Sequence, residues 1–344
     1  MQLCCNNTDF IYICQICLPF LKCGWHADLR GFFSTNIKSK MKNNFEVIII
    51  GGNYSGLSAA MALGRATRNV LVIDGGKPCN RFTQHSHNFL TQDGETPAAI
   101  SAKAKAQVMA YPTVSFLDDI ATSAKETTGG FSVSTAGGAT YTAQKILFAT
   151  GIKDKLPEIE GFTACWGKSV IHCPYCHGYE YRNEKTAIVA NGDAALHYGI
   201  LLKQWTKDLT VFTNGVADFT DAQIQTLASL NIKIIDLTIT GINHEDGMIK
   251  EIETTNGNFE ATALYHRPSF EQHCDLPNAL GCQFNEQGYI ITDAMQKTTV
   301  PGIYAAGDCT TPMRSVSSAV AQGGMAGAAI NAELCMAGVY TLSE

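Results

Sequence analysis

An apolar strand that runs straight into a glycine-rich turn leaves a chain few folds to choose from. Glu46 to Ile50 reads Glu-Val-Ile-Ile-Ile, the continuous apolar run of a strand buried on both faces of a parallel sheet. Gly51-Gly52-Asn53-Tyr54-Ser55-Gly56 follows, then an Ala/Leu/Met-rich helix to about Arg65. A second buried strand, Asn69 to Ile73, ends at Asp74. Gly51 permits a tight turn, Gly56 lets helix and strand approach, and the free amides of the helix start can hold a pyrophosphate. Asn53 replaces the usual middle glycine, and Asn tolerates a left-handed backbone better than most residues, so the turn survives. Asp74 stands one helix and one strand beyond Gly51, where a carboxylate can accept hydrogen bonds from a ribose. The combination selects a dinucleotide without separating FAD from NAD.

A weaker copy of this pattern begins at Thr186. Ala187 to Ala190 reads as a strand, Asn191-Gly192-Asp193 as a turn, Ala194 to Trp205 as a helix, and Leu209 to Phe212 as the next strand. Ala190 stands where the first glycine belongs. The second strand ends at Thr213-Asn214, with no acid for a free ribose and no arginine cluster for a 2′-phosphate. A fold relic and a working nicotinamide site both remain open. Weaker strands follow near Lys233–Asp236 and Met248–Glu253. The last block returns to the first style, with Gly302-Ile303-Tyr304-Ala305-Ala306-Gly307-Asp308 before Arg314-Ser315-Val316 and a small-residue helix to about Met336. Asp308 could bind a ribityl or ribose hydroxyl, and the helix start could stabilise negative charge on a reduced flavin ring. The expected fold class is α/β, with two Rossmann-like three-layer dinucleotide-binding domains, the central one inserted in the other. Residues 41–157 with 277–344 would form the outer domain and 158–276 the central one.

Length and composition agree. The 344 residues suit two medium domains, and 45% apolar with 16% charged residues is a well-buried globular balance. A formal net charge of -6 argues against a nucleic-acid groove. No apolar run is long enough to span a bilayer, so a cytoplasmic protein is expected. Five of the 13 cysteines precede Met41, and beyond these only Cys173 and Cys176 stand close together. This is a reducing-compartment pattern with one reactive pair, not a secreted disulfide framework. The segment before Met41 differs from the rest: Phe10 to Leu21 is apolar but interrupted by Gln15 and Pro19, without a basic stretch before it. Met41 therefore reads as the natural start, and residues 1–40 as an extension outside the fold. The rival reading makes the segment an anchor or targeting sequence.

The densest chemistry is His172-Cys173-Pro174-Tyr175-Cys176-His177-Gly178. Two cysteines three apart can close a small disulfide and exchange it with another thiol. The neighbouring imidazoles could lower the thiol pKa, and His177 could carry protons for the dithiol step. No second Cys or His pair follows at zinc-knuckle spacing, so no metal is expected.

Together these stretches resemble the thioredoxin reductase family of FAD-dependent disulfide oxidoreductases, from Phe45 to about Ala337. The carriers are the stretch Gly51 to Ala60, Ala149-Thr150-Gly151, Cys173-Pro174-Tyr175-Cys176, and Val300-Pro301-Gly302-Ile303-Tyr304-Ala305-Ala306-Gly307-Asp308. By this resemblance FAD lies in the outer domain, with Gly51, Gly52, Asn53, Ser55, Gly56, Asp74, Arg81, Gly151, Gly307, Asp308, Ser315 and Val316 as candidate contacts. His87-Asn88-Phe89 matches a further flavin-contacting stretch and adds Asn88. Cys173, Cys176 and His177 are the catalytic candidates, Cys176 facing the flavin and Cys173 attacking an external disulfide. The resemblance also implies a homodimer, and a domain rotation that carries the dithiol between flavin and partner. His177 departs from the family pattern, which has an acid directly after the second cysteine. Cys-Pro-Tyr-Cys-His-Gly-Tyr-Glu is similar to a branch that includes the gliotoxin-type dithiol oxidases, and related bacterial members lack clear NADPH signatures. The leading expectation is a relay from reduced flavin through Cys173–Cys176 to a thioredoxin-like partner, with NADPH a weakly supported donor. The alternatives are a dithiol oxidase that passes electrons from a small dithiol to oxygen, and a non-catalytic flavin redox sensor.

Overall fold

Alternation along the first strand decides the architecture. In the structure, a computed structural model that describes residues 43–341, Val47 and Ile49 pack on one side of the strand Asn44–Ile50, with Leu57, Leu63, Ala326 and Ile330. Ile48 and Ile50 pack on the other side, with Phe131, Val133, Leu276 and Ile290. Both faces are covered, which is why the run is apolar without interruption. Burying each such side chain contributes about 1.5–3 kcal/mol. The reading of residues 1–40 lies outside the described residues.

The strand lies in the middle of a seven-stranded sheet. Val114–Asp118, Val70–Asp74, Asn44–Ile50 and Thr140–Phe148 run parallel in that order. The antiparallel strands Gly130–Thr135 and Ala121–Thr127 continue from the start of Thr140–Phe148. The end of that strand pairs instead with Ile303–Ala305, in parallel. Chain from the far end of the sequence thus completes the first sheet. The helices Tyr54–Arg65, Pro97–Met109 and Val316–Thr341 supply a helical layer.

The central segment repeats the design on a five-stranded parallel sheet: Lys233–Ile235, Leu209–Phe212, Thr186–Val189, Ala263–His266 and Val170–Ile171. Ala187 and Val189 face one core and Ile188 the other. The expected strand Met248–Glu253 is present as Met248–Thr254, in an antiparallel meander with Ile239–Glu245 and Gly257–Glu260. The expected helix Ala194–Trp205 instead spans Gly192–Leu202. It starts earlier because the Asn191 side chain accepts from the Gly192 amide at 3.1 Å and caps it. The fold is α/β with two Rossmann-like units. None of the described helices is long and apolar enough to cross a membrane.

Candidate active site

The glycine turn is shaped by what it must avoid. Gly51 takes φ +104°, and a Cβ there would run into the Ala149 carbonyl. A Cβ on Gly52 would lie 2.7 Å from that of Asp74, and one on Gly56 would meet the Gly51 carbonyl oxygen. Only glycine lets these segments approach so closely. Asn53 corrects an expectation: its backbone is extended at φ -104°, so the turn makes no use of its left-handed tolerance. Gly51 already supplies the positive φ. The Gly52 amide donates to Asp74 Oδ1 at 3.1 Å, which fixes the carboxylate at the strand end.

These residues open onto a cleft of about 1370 Å³. Gly51, Gly52, Asn53, Ser55 and Asp74 form one part of its wall, with Arg81 and Gly151. Asp308, Ser315 and Val316 form another, and Cys176 and His177 a third. Four candidates do not line it. Gly56 serves the helix–strand contact. Gly307, at φ +89°, makes way for Ser55 and donates its amide to Gln322 Oε1 at 2.7 Å. Asn88 takes φ +59° and donates its amide to Asp93 at 2.7 Å, while its neighbour His87 reaches the cleft. Cys173 meets the cleft only through its disulfide partner Cys176.

The disulfide is set up by a single helical turn. Val170–Ile171 delivers the chain to His172, and Cys173 precedes the helix Pro174–His177. The turn brings the two Cα atoms to 5.3 Å, and the sulfurs form a disulfide. Trp205 packs so closely on Gly178 that a Cβ there would come within 2.9 Å of the indole. Tyr175 and Tyr179 point to solvent, 64% and 67% exposed. His172 stacks on Trp166 with ring centroids 6.0 Å apart.

Electrostatics correct a second expectation. Burial pushes His177 down to about 4, helped by His87 nearby. Burial, with Arg314 beside it, pushes His172 well below the usual imidazole range. Both rings are neutral near pH 7, so neither supplies a positive charge to lower a thiol pKa.

Three residues of the site were not announced by the sequence. Arg314 forks onto Asp154 with bonds of 2.8 and 2.9 Å and donates to Cys79 Sγ at 2.9 Å. Its Nε lies 3.6 Å from Asp308, too far for a hydrogen bond. Burial raises the Asp308 pKa, and Arg314 offsets part of that. Asp154 closely follows the Ala149-Thr150-Gly151 carrier, a cue visible only once its distant partner Arg314 is known. His87 is the third, next to the expected Asn88.

The lining fits a dinucleotide. Asn53 Oδ1, Thr150 Oγ1, Arg314 Nε and His172 Nε2 are buried without a hydrogen-bond partner on the protein, and all four residues line the cleft. Such atoms are costly unless a ligand satisfies them. The glycine cradle and Asp74 supply the phosphate and ribose ends of the same surface.

The central turn is built differently. Asn191 Nδ2 donates to the Val216 carbonyl at 2.8 Å, and its Oδ1 accepts from the Asp218 amide at 2.8 Å. The side chain therefore stitches this turn to the loop after Leu209–Phe212. Gln223 donates to Asp193 Oδ1 at 2.6 Å, and Asp193 puts a carboxylate in the first turn of Gly192–Leu202, a negative charge that disfavours a second anion there. None of these residues lines the cleft.

The family model for pyridine nucleotide-disulphide oxidoreductases matches residues 45–323. The chain belongs to that family. Its similarity to thioredoxin reductase sirT of Leptosphaeria maculans is 31% identity over 306 residues, covering 83% of this chain and 93% of the relative. Thioredoxin reductase aclD of Aspergillus oryzae is 30% identical over 305 residues, covering 84% and 96%. The crystal structure of an oxidoreductase from Agrobacterium tumefaciens superposes with a TM-score of 0.80 at 39% identity, covering 85% of this chain and 99% of that one. The protein is thus a disulfide oxidoreductase of thioredoxin-reductase type, in a family that implies FAD and, in most members, NADPH.

Proposed function

We propose that this chain relays two electrons between FAD and the Cys173–Cys176 disulfide, and that it runs in the direction of dithiol oxidation. The observation that carries the relay is one shared cleft: Cys176 and His177 line the same wall system as the Gly51 turn, Asp74 and the Asp308–Arg314 pair. Gly51, Gly52, Asn53 and Ser55 would cradle the pyrophosphate, Asp74 a ribose, and Asp308 the ribityl chain, with Ser315 and Val316 at the helix start. Bound FAD supplies a two-electron redox centre. Residues 41–157 with 277–344 would hold it, and 158–276 would carry the pair.

Two observations favour the direction. Asn191 and Asp193 occupy the central turn with the chain's own side chains, which removes the anion site that NADPH would need. His177 is neutral and so carries no imidazolium proton to give near pH 7, whereas the reductase direction asks for a donor. In the oxidising step a substrate thiolate attacks Cys173 Sγ, a mixed disulfide forms, and Cys176 leaves as thiolate. The second substrate thiol displaces Cys173 and closes the substrate disulfide. Oxygen is the terminal acceptor, so the balance is dithiol plus oxygen to disulfide plus hydrogen peroxide. The family resemblance supports a homodimer.

The test is anaerobic and optical. With the purified flavoprotein, dithiothreitol should bleach the oxidised-flavin absorbance, NADPH and NADH should not, and air should restore the colour with hydrogen peroxide formed. Cys176→Ser should keep the flavin and lose the bleaching. Rapid bleaching by NADPH or NADH would overturn the direction and return the assignment to a reductase of a thioredoxin-like partner. Full activity in Cys176→Ser would sink the relay itself.

A further inference from the structure

A short chain of titratable groups leads from the disulfide to solvent, outside the residues the relay uses. His87 stands edge-on to His177, with ring centroids 6.4 Å apart and planes at 85°. Its Nε2 lies 3.5 Å from Glu180 Oε1 and its Nδ1 3.7 Å from Asp93 Oδ1. Glu180 and Asp93 come from different parts of the chain, the first just after His177 and the second just after His87. The His87 ring is 21% exposed, Glu180 37% and Asp93 69%, so exposure rises step by step away from Cys176. His85 is the other titratable group facing His87, at 6.5 Å between ring centroids. His177 in turn acts on His172 through space.

We infer that His87 is a positioning residue that acts through His177, passing its proton to Glu180 or Asp93 and on to solvent. The inference rests on the relay reading above. Each oxidation of a dithiol releases two protons as it releases two electrons. A substrate thiol gives up its proton to His177 as it attacks Cys173 Sγ, the mixed disulfide forms, and the Cys173–Cys176 bond breaks with Cys176 leaving as thiolate. His177 alone is a poor place to keep that proton, since burial disfavours the imidazolium there. His87 can hand it on, because two carboxylates flank it and solvent lies beyond them. One water or one ring rotation spans the gap between the two imidazoles. The same path returns protons when the reaction runs the other way.

The experiment is single-turnover flavin reduction by dithiothreitol, followed by stopped flow across a pH series, in the flavin-loaded enzyme. His87→Gln should slow it by about a hundredfold, move the acid limb of the pH profile, and recover part of the rate with added imidazole. Glu180→Gln should move the limb in the same direction by less. The reverse reaction, reoxidation of the dithionite-reduced enzyme by oxidised dithiothreitol, should carry the same defects. That arm decides the inference even where dithiol oxidation fails in the wild type, an outcome that would count against the direction of the reading alone. Variant profiles that superpose on the wild type would overturn the inference. So would a rate loss with an unmoved pH profile and no imidazole rescue, which marks a purely structural role.

Discussion

Arg314 does the most for the site at the scale of single residues. It is 11% exposed and its partner Asp154 8%, so the pair has left water almost completely. Burial alone would lower the guanidinium pKa, but the Asp154 carboxylate and its hydrogen bonds raise it above the ordinary value. A buried pair is marginal as a pair but costly to halve, because the survivor keeps its charge without a partner. Lysine keeps the charge of Arg314 but cannot fork. We therefore expect Arg314→Met, which leaves Asp154 charged and unpaired, to destabilise the flavin-loaded protein by about 3 kcal/mol, and Arg314→Lys by less, read as a shift in urea midpoint. Asp154→Asn alone should cost a similar amount, and the double variant much less than the sum. Strict additivity would mean that the two side chains do not act as a unit. None of this was legible in the sequence, because two charges so far apart along the chain give no local signal. The neutral state of His177 was equally hidden. Its neighbours in sequence announce an imidazole beside a thiol, and only burial says which protonation state it takes.

Whole elements were far more legible, and for a reason. Strand and helix patterns depend on residues a few positions apart, as in Val47/Ile49 against Ile48/Ile50. The helix Pro97–Met109 lies where proline at its first position and the Thr96 cap place it. The sequence shows a weakened central turn but not its closure, because the Asn191 partners Val216 and Asp218 sit on another loop beyond the next helix and strand. Tight packing between helices also needed the structure. The C-terminal helix Val316–Thr341 rides on Tyr54–Arg65 through small residues. A Cβ on Gly327 would come within 2.8 Å of Ala62 Cβ and 2.9 Å of the Ala59 carbonyl oxygen. Backbone cannot give way as a flexible side chain does, so Gly327→Val should cost about 1–3 kcal/mol. Because the first of these helices starts at the glycine turn, flavin affinity should weaken with it. Unchanged stability and flavin content would show that the two helices separate freely.

The molecule as a whole is closed by chain that arrives late. Ile303–Ala305 completes the sheet begun at Asn44–Ile50, and the last helix covers it. One carboxylate ties that helix to two strands of the sheet. Glu333, on that helix, pairs with Lys145 of Thr140–Phe148, accepts from the Tyr304 hydroxyl of Ile303–Ala305, and lies 3.3 Å from Lys297. Partial burial works against its charge, yet Lys145, Tyr304 and Lys297 together hold it down at about 2. In the unfolded chain the same carboxyl returns to its ordinary value of 4.5. Between these values the unfolded chain binds the proton and the folded one does not, so stability falls as pH falls. The Glu333 contribution is fully present above about pH 5 and drains away as the solution falls through 4.5 towards about 2. Glu333→Gln never has that contribution. The difference in urea midpoint between wild type and variant should therefore hold steady near neutrality and shrink through this acid window. A difference that stays constant down to the onset of acid unfolding would mean that the carboxylate is not what fastens the last helix to the sheet.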